Sequence, residues 1–178
     1  MEKSLISTIY TLDIFEGYTT ANIDRLSQVM LQNSSEPLHS DPHHTRFEDT
    51  FCPHSAIIGK IVDDMQETYS KNTKSSKSLW CFEHWGLIHH KNMSTNTHDH
   101  IGADFSAVTY LSVPPGSGSI SFYPNPLDPY ARGQYTIHPK KGMFLLFPSW
   151  IPHSVSRNLS SEPRVSLSLN FKLNSGEA

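Results

Sequence analysis

Histidine stands out in this chain: there are eleven, against two cysteines and three tryptophans, and most of them fall in clusters. The most suggestive cluster is His98-Asp99-His100, inside the stretch THDHIGADFSAVTYLSVP. In an extended strand, residues i and i+2 point the same way, so His98 and His100 can converge on one metal ion while Asp99 faces away. A third histidine, His153, follows a hydrophobic run and a Pro-Ser-Trp-Ile-Pro turn in GMFLLFPSWIPHSVSRN, which would hold it rigidly. Converging imidazoles are a ligand set for a divalent transition metal. Farther on, in RVSLSLNFKL, Val165, Leu167, Leu169 and Phe171 alternate with Arg164, Ser166, Ser168 and Asn170. One face of that strand is apolar and the other polar. The polar face either meets solvent, as in an ordinary antiparallel strand, or lines a barrel mouth while the apolar face packs outward against helices. In the second arrangement Arg164 points inward and needs an anion. His43 and His44, like His89 and His90, are adjacent and diverge in a strand, which makes each pair a poor chelator of one ion.

The elements that must position these residues change character along the chain. TTANIDRLSQVML puts Ile23, Leu26, Val29 and Met30 on one helical face after a Thr-rich start that can cap it. From Ser55, the spacing of Ile58, Ile61, Val62, Met65 and Tyr69 predicts a second helix that buries one stripe against something flat. Between them the polar segment from about Gln32 to Asp49 is too long for a simple connection and is expected to be a flap over a site. After the linker SKNTKSSKS the helical period disappears, and strands are expected at LWCFEHWGLIH, FSAVTYLSV, SISFY, QYTIH, GMFLLFP, HSVSR and RVSLSLNFKL. The glycine-rich VPPGSGS lacks the lysine and helix of a phosphate loop and reads as a turn between strands. Trp150 is expected to pack beside the turn that carries His153.

With 178 residues, 37% hydrophobic, the chain is long enough for one packed core and short for two, so a single domain over 1–178 is expected. Its helical part is expected over about 1–78 and its β core over about 79–173. The fold class is mainly β, a jelly-roll barrel with two helices outside it. The formal net charge of −3, with no basic segment interleaved with aromatics, argues against a nucleic-acid partner. The N-terminal apolar residues are broken by Thr, Asp and Glu, which suits neither a signal peptide nor a membrane span; a cytoplasmic protein with Cys52 and Cys81 as reduced packing thiols is the expectation.

HDH, WIPH and RVS, in that order, resemble the His-X-acid, distant His and Arg-X-Ser pattern of the Fe(II)- and 2-oxoglutarate-dependent oxygenases. The likeness is closer to a branch of these from marine bacteria and their phages, matched by HDHIGADFSAVTYLSVP, LFPSWIPHSV and RVSLSLNF over roughly residues 80 to 172. The resemblance implies a double-stranded β-helix with iron at its open end, held by His98, His100 and His153. It also implies 2-oxoglutarate as co-substrate, with Arg164 pairing its distal carboxylate, Ser166 adding a hydroxyl and Tyr110 contributing its phenol if that side chain faces inward. Succinate and CO2 would be released as a small-molecule or peptide substrate is hydroxylated.

Position 100 departs from the pattern, being His where the superfamily usually has Asp or Glu. Two carboxylates stand in reserve: Asp99 if the strand bulges there, and Asp104 if the following loop reaches back. Replacing a carboxylate by imidazole leaves the metal complex one unit more positive. Three histidines on a jelly roll also describe cupins, either dioxygenases that need no 2-oxoglutarate or non-catalytic metal-binding modules; RVS argues against them. A zinc hydrolase fits the ligands as well, but no neighbouring residue stands out as its general base.

Overall fold

The computed structural model describes residues 13–32, 45–47, 55–123 and 134–174, with 45–47 described in backbone only. In chain order these form β1 (Phe15–Tyr18), α1 (Ile23–Gln32), β2 (Thr45–Phe47), α2 (Ser55–Thr73), β3 (Ser78–His89), β4 (Thr95–His98), β5 (Phe105–Ser112), β6 (Ile120–Phe122), β7 (Tyr135–Ile137), β8 (Met143–Pro148), β9 (His153–Val155) and β10 (Arg164–Asn174). Two antiparallel sheets result, one in the order β1-β8-β5-β10-β3-β2 and one in the order β4-β9-β6-β7. Strands β3 to β10 pass between the two sheets as in a jelly roll, with consecutive β6 and β7 paired within the smaller one, and β1 and β2 widen the larger sheet at its edges.

Both expected helices are present. Their apolar stripes pack on the outer face of the larger sheet: Ile23, Leu26 and Met30 of α1 and Ile58, Ile61, Met65 and Tyr69 of α2 share a core with Val165, Leu167, Leu169 and Phe171 of β10. These four β10 residues are fully buried. Each is worth about 1.5–3 kcal/mol by apolar burial. The greasy face of β10 therefore points away from the barrel interior. The cap of α1 differs from expectation. Asn22 Oδ1, not a threonine, accepts from Arg25 N (3.3 Å), while Thr19 Oγ1 and Thr20 N both donate to Asp64 Oδ2 of α2 at 2.8 Å. The threonines tie the start of α1 to the second helix.

The seven expected strands coincide with β3 and β5 to β10, with ends displaced by a residue or two. β1, β2 and β4 are additional. They are three or four residues long and polar or aromatic, so no period announces them; pairing with β8, β3 and β9 creates them. The expected flap lies outside the described residues except for Gln32 and β2, whose backbone pairs with β3. His43, His44 and Cys52 also lie outside them. Cys81 is a half-buried free thiol packed against the core, and burial pushes its pKa up to about 11. Among the described residues no helix is long and apolar enough to cross a membrane.

Candidate metal and co-substrate site

Between the sheets lies a cavity of about 400 Å³. Its wall is built by period-2 alternation: Glu83, Trp85, Leu87 and His89 come from β3, Arg164, Ser166, Ser168 and Asn170 from β10, and Val108 and Tyr110 from β5. The polar face of β10 is thus turned inward and buried, the second of the two arrangements open to that sequence.

His98, His100 and His153 come together on this wall, with one ligand nitrogen from each lying within 4.8 Å of the others. Register explains the convergence. A bulge between Thr95 and His98 sets His98 directly opposite His153 in the β4–β9 pair, and their rings stand 4.4 Å apart. His100, two residues on, returns to the same side, 5.0 Å from His98 and 5.2 Å from His153. Asp99 is exposed, as the alternation requires. Asp104 Oδ2 accepts from Leu173 N at 2.8 Å and Oδ1 lies 3.8 Å from Lys172 Nζ, so that carboxylate is committed to the end of β10. Among the described residues, no carboxylate joins the three histidines.

The two loops carrying the histidines are bolted together. His100 N donates to Ser149 O (3.0 Å), Ser149 N to Asp104 O (3.2 Å), and Ser149 Oγ to the carbonyl of Ala103. Ile151 is fully buried in the same turn. Trp150 is not: it stands 49% exposed, contrary to the expected packing, and Ile151 fills that role. Nδ1 of His98 lies 2.8 Å from Asn96 O, and Nδ1 of His153 lies 2.9 Å from Ile151 O. A carbonyl can only accept, so each Nδ1 carries the proton and each Nε2 presents a lone pair. That is the tautomer a metal ligand needs.

Burial drives the pKa of His153 down to about 3, helped by the neighbouring His98 and His100 and opposed by its bond to Ile151 O. The folded value lies below the ordinary imidazole value of about 6.5, so the folded state binds fewer protons. The stability contributed by neutral His153 is complete above about pH 6.5 and is lost as pH falls toward about 3. Urea denaturation of the metal-free protein is expected to lose up to about 1.4 kcal/mol per pH unit over that window. His153→Gln should flatten the slope, and an unchanged slope would assign the loss to other groups.

Arg164 is 2% exposed, and its Nη1 donates to Ser117 O at 2.8 Å. Burial lowers its pKa, which the nearby Tyr110 opposes; a guanidinium stays charged regardless. Among the described residues no carboxylate pairs with it. VPPGSGS is the turn that presents Ser117 O, and Gly118 in it has φ +91° with its α-carbon pressed against Ser156, so a Cβ there would sit 2.6 Å from Ser156 O. Tyr110 does face inward. Its hydroxyl is buried in the cavity without a hydrogen-bond partner, and burial raises its pKa although Arg164 acts the other way. A buried cation beside an orphaned phenol, with Ser166 on the same wall, is a receptor for an anion with acceptor oxygens.

Glu83, Trp85, His89 and Asn170 are among the wall residues not singled out as site residues from the sequence. The alternation of Glu83, Trp85, Leu87 and His89 was the available signal. His89, set aside as a chelator, is buried, and its Nε2 lies 2.8 Å from Thr95 Oγ1.

Comparison with known proteins supports this assembly. An oxidoreductase of the 2OG-Fe(II) oxygenase family from Burkholderia pseudomallei superposes with a TM-score of 0.66 at 15% identity, over 84% of this chain and 77% of that one. A Pseudomonas putida prolyl-4-hydroxylase gives 0.60 at 14% identity over 93% and 95%. HygX from Streptomyces hygroscopicus, solved with nickel and 2-oxoglutarate bound, gives 0.66 at 15% over 91% and 83%. At these identities the likeness is one of fold. No curated protein matches the sequence. Residues 83–170, from within β3 into β10, match the family described as "Putative 2OG-Fe(II) oxygenase". By that match and the ordered HDH, WIPH and RVS segments, residues 83–170 are similar to the 2OG-Fe(II) oxygenases.

Proposed function

We propose that this protein is an Fe(II)- and 2-oxoglutarate-dependent dioxygenase that hydroxylates its substrate with release of succinate and CO2. The observation that carries the reading is the pairing, in one cavity, of three histidines with a buried guanidinium and an orphaned phenol. Fe(II) would be held by Nε2 of His98 and His153 and by His100. The distal carboxylate of 2-oxoglutarate would be received by Arg164, with hydroxyl donors from Tyr110 and Ser166. The donor set fits both groups: neutral imidazoles suit a divalent iron, and a forked cation suits a carboxylate.

When bound together, iron and 2-oxoglutarate supply the oxidising power for C–H hydroxylation. The chain's own part is positional. Arg164 lines the cavity and is already anchored through Nη1 to Ser117 O, so its remaining N–H groups would fix the co-substrate's orientation at little entropic cost. The carbonyls of Asn96 and Ile151 lock two imidazoles in the ligating tautomer. Phe147 and Phe122, with ring centroids 4.9 and 5.9 Å from His153, exclude water from the inner side of the metal site.

Among the described residues the histidine group holds no carboxylate, which favours a second reading, a three-histidine cupin-type metalloprotein that ignores 2-oxoglutarate. Incubating the Fe(II)-loaded protein with 2-oxoglutarate and O2 separates the two. Slow succinate formation without primary substrate is the expected result; no consumption of 2-oxoglutarate and no binding of it would favour the cupin.

A further inference from the structure

The guanidinium that would receive 2-oxoglutarate is placed by a turn, and the turn is placed by the strand that carries a metal ligand. Among the described residues, the side chain of Arg164 has Ser117 O as its hydrogen-bond partner, accepting from Nη1 at 2.8 Å. Ser117 is 2% exposed, and its N donates to Pro114 O at 3.1 Å. Two residues on, the turn is clamped to the chain just past β9: Ser119 N donates to Ser156 Oγ (2.8 Å) and Ser156 N to Ser119 O (2.9 Å). These bonds extend the β6–β9 ladder, in which Ile120 pairs with Val155 and Phe122 with His153. The clamp therefore lies on the same ladder as the metal ligand His153, about 10 Å along it at about 3.3 Å per residue.

Gly118 is where turn and strand touch. Its φ is +91°, and a Cβ added there would meet Ser156 O at 2.6 Å, Ser156 Oγ at 2.9 Å and Arg157 O at 3.1 Å. Two of those atoms are backbone and cannot swing aside as the end of a flexible side chain does. A larger residue would have to push the turn off the strand, carrying Ser117 O with it. Gly116, in the same turn, has φ +76° but a Cβ there would meet open space. Backbone conformation alone accounts for glycine at 116, whereas position 118 also demands close approach.

We infer that Gly118 is a positioning residue for the co-substrate: by seating the turn directly on β9 it sets the span from the metal histidines to Arg164, and that span selects a five-carbon 2-oxo dicarboxylate over its six-carbon homologue. The inference rests on the dioxygenase reading, in which one ligand bridges the two ends. A ligand one methylene longer carries its distal carboxylate past a fork that cannot retreat, because the carbonyl holding that fork is fixed, and so loses a charge-assisted hydrogen bond.

Calorimetric titration of 2-oxoglutarate and of 2-oxoadipate into the Ni(II)-loaded protein reads the span. The wild type is expected to prefer 2-oxoglutarate about tenfold or more, the worth of one hydrogen bond to a charged group. Gly118→Ala should bind 2-oxoglutarate about tenfold more weakly and 2-oxoadipate little differently, so that the preference falls below about threefold while Ni(II) affinity is unchanged. Gly116→Ala brings a similar backbone strain without the collision; it should lower the urea midpoint and leave both affinities as in the wild type. Where Gly118→Ala does not fold, Ser156→Ala decides, since it removes the Oγ clamp and adds no atom; it should weaken 2-oxoglutarate about threefold, the worth of one neutral hydrogen bond. No chain-length preference in the wild type, a preference unaltered in the deciding variant, or an equal loss in Gly116→Ala would overturn the inference and leave the co-substrate reading standing. A wild type that does not bind 2-oxoglutarate would overturn both.

Discussion

Replacing Arg164 with lysine is expected to weaken 2-oxoglutarate binding by about 1.5–3 kcal/mol, the worth of one hydrogen bond to a charged group. Lysine keeps the charge but cannot donate to Ser117 O and fork around a carboxylate at the same time, as the guanidinium can. Arg164→Ala should weaken binding further, because it removes the charge as well. It also leaves Ser117 O without its donor, so part of its effect will appear as lost stability. Tyr110→Phe and Ser166→Ala remove single hydroxyls from the same wall and should each cost less, about 0.5–1.5 kcal/mol. Calorimetric titration of 2-oxoglutarate into the metal-loaded protein measures all four. Metal affinity should change little, since Arg164 is not one of the grouped histidines. If both Arg164 variants bind as the wild type does, the co-substrate reading fails and the cupin-type alternative takes its place.

His153→Ala is expected to abolish metal binding. Loss of a partner behind a ligand typically costs 10–100-fold in affinity, so loss of a ligand itself should cost more than about 100-fold. His153 is the most buried of the three, and its ring packs on Phe147 and Phe122, so alanine there also opens a small cavity. His98→Ala is the cleaner companion, being more exposed. Ni(II) titration followed by calorimetry, with folding checked by circular dichroism, reads both. Unchanged affinity in either folded variant would remove that histidine from the site.

His98 and His100 can be read as neighbours on one face because a two-residue period is purely local. Their meeting with His153 depends on the register of β4 against β9, and that register contains a bulge. β4 itself, Thr95 to His98, has no apolar alternation to reveal it. Alternation turned Asp99 away only if no bulge intervened, and the fold leaves it exposed. The exclusion of Asp104 does not follow from alternation, because only the fold brings Leu173 N to its carboxylate. Trp150 shows the same limit: a large aromatic in a rigid turn suggests packing, yet the buried residue of that turn is Ile151.

The sequence by itself determined the two helices, the strands β3 and β5 to β10, the metal-ligating candidates and the position of the arginine, because each rests on a periodicity or a residue type that acts over a few positions. The inward turn of β10 needed the tertiary structure: a strand with one apolar and one polar face can be turned either way until α1 and α2 cover the apolar face and leave Arg164, Ser166, Ser168 and Asn170 inside the barrel. The hydrogen bonds from Ser106 to Asn170 and from Asn170 to Glu83 in the cavity wall were likewise decided only by the fold. They join residues brought into contact by the pairing of β10 with both β5 and β3. No local pattern encodes such a contact, because cross-strand register is set by the packing of the whole sheet.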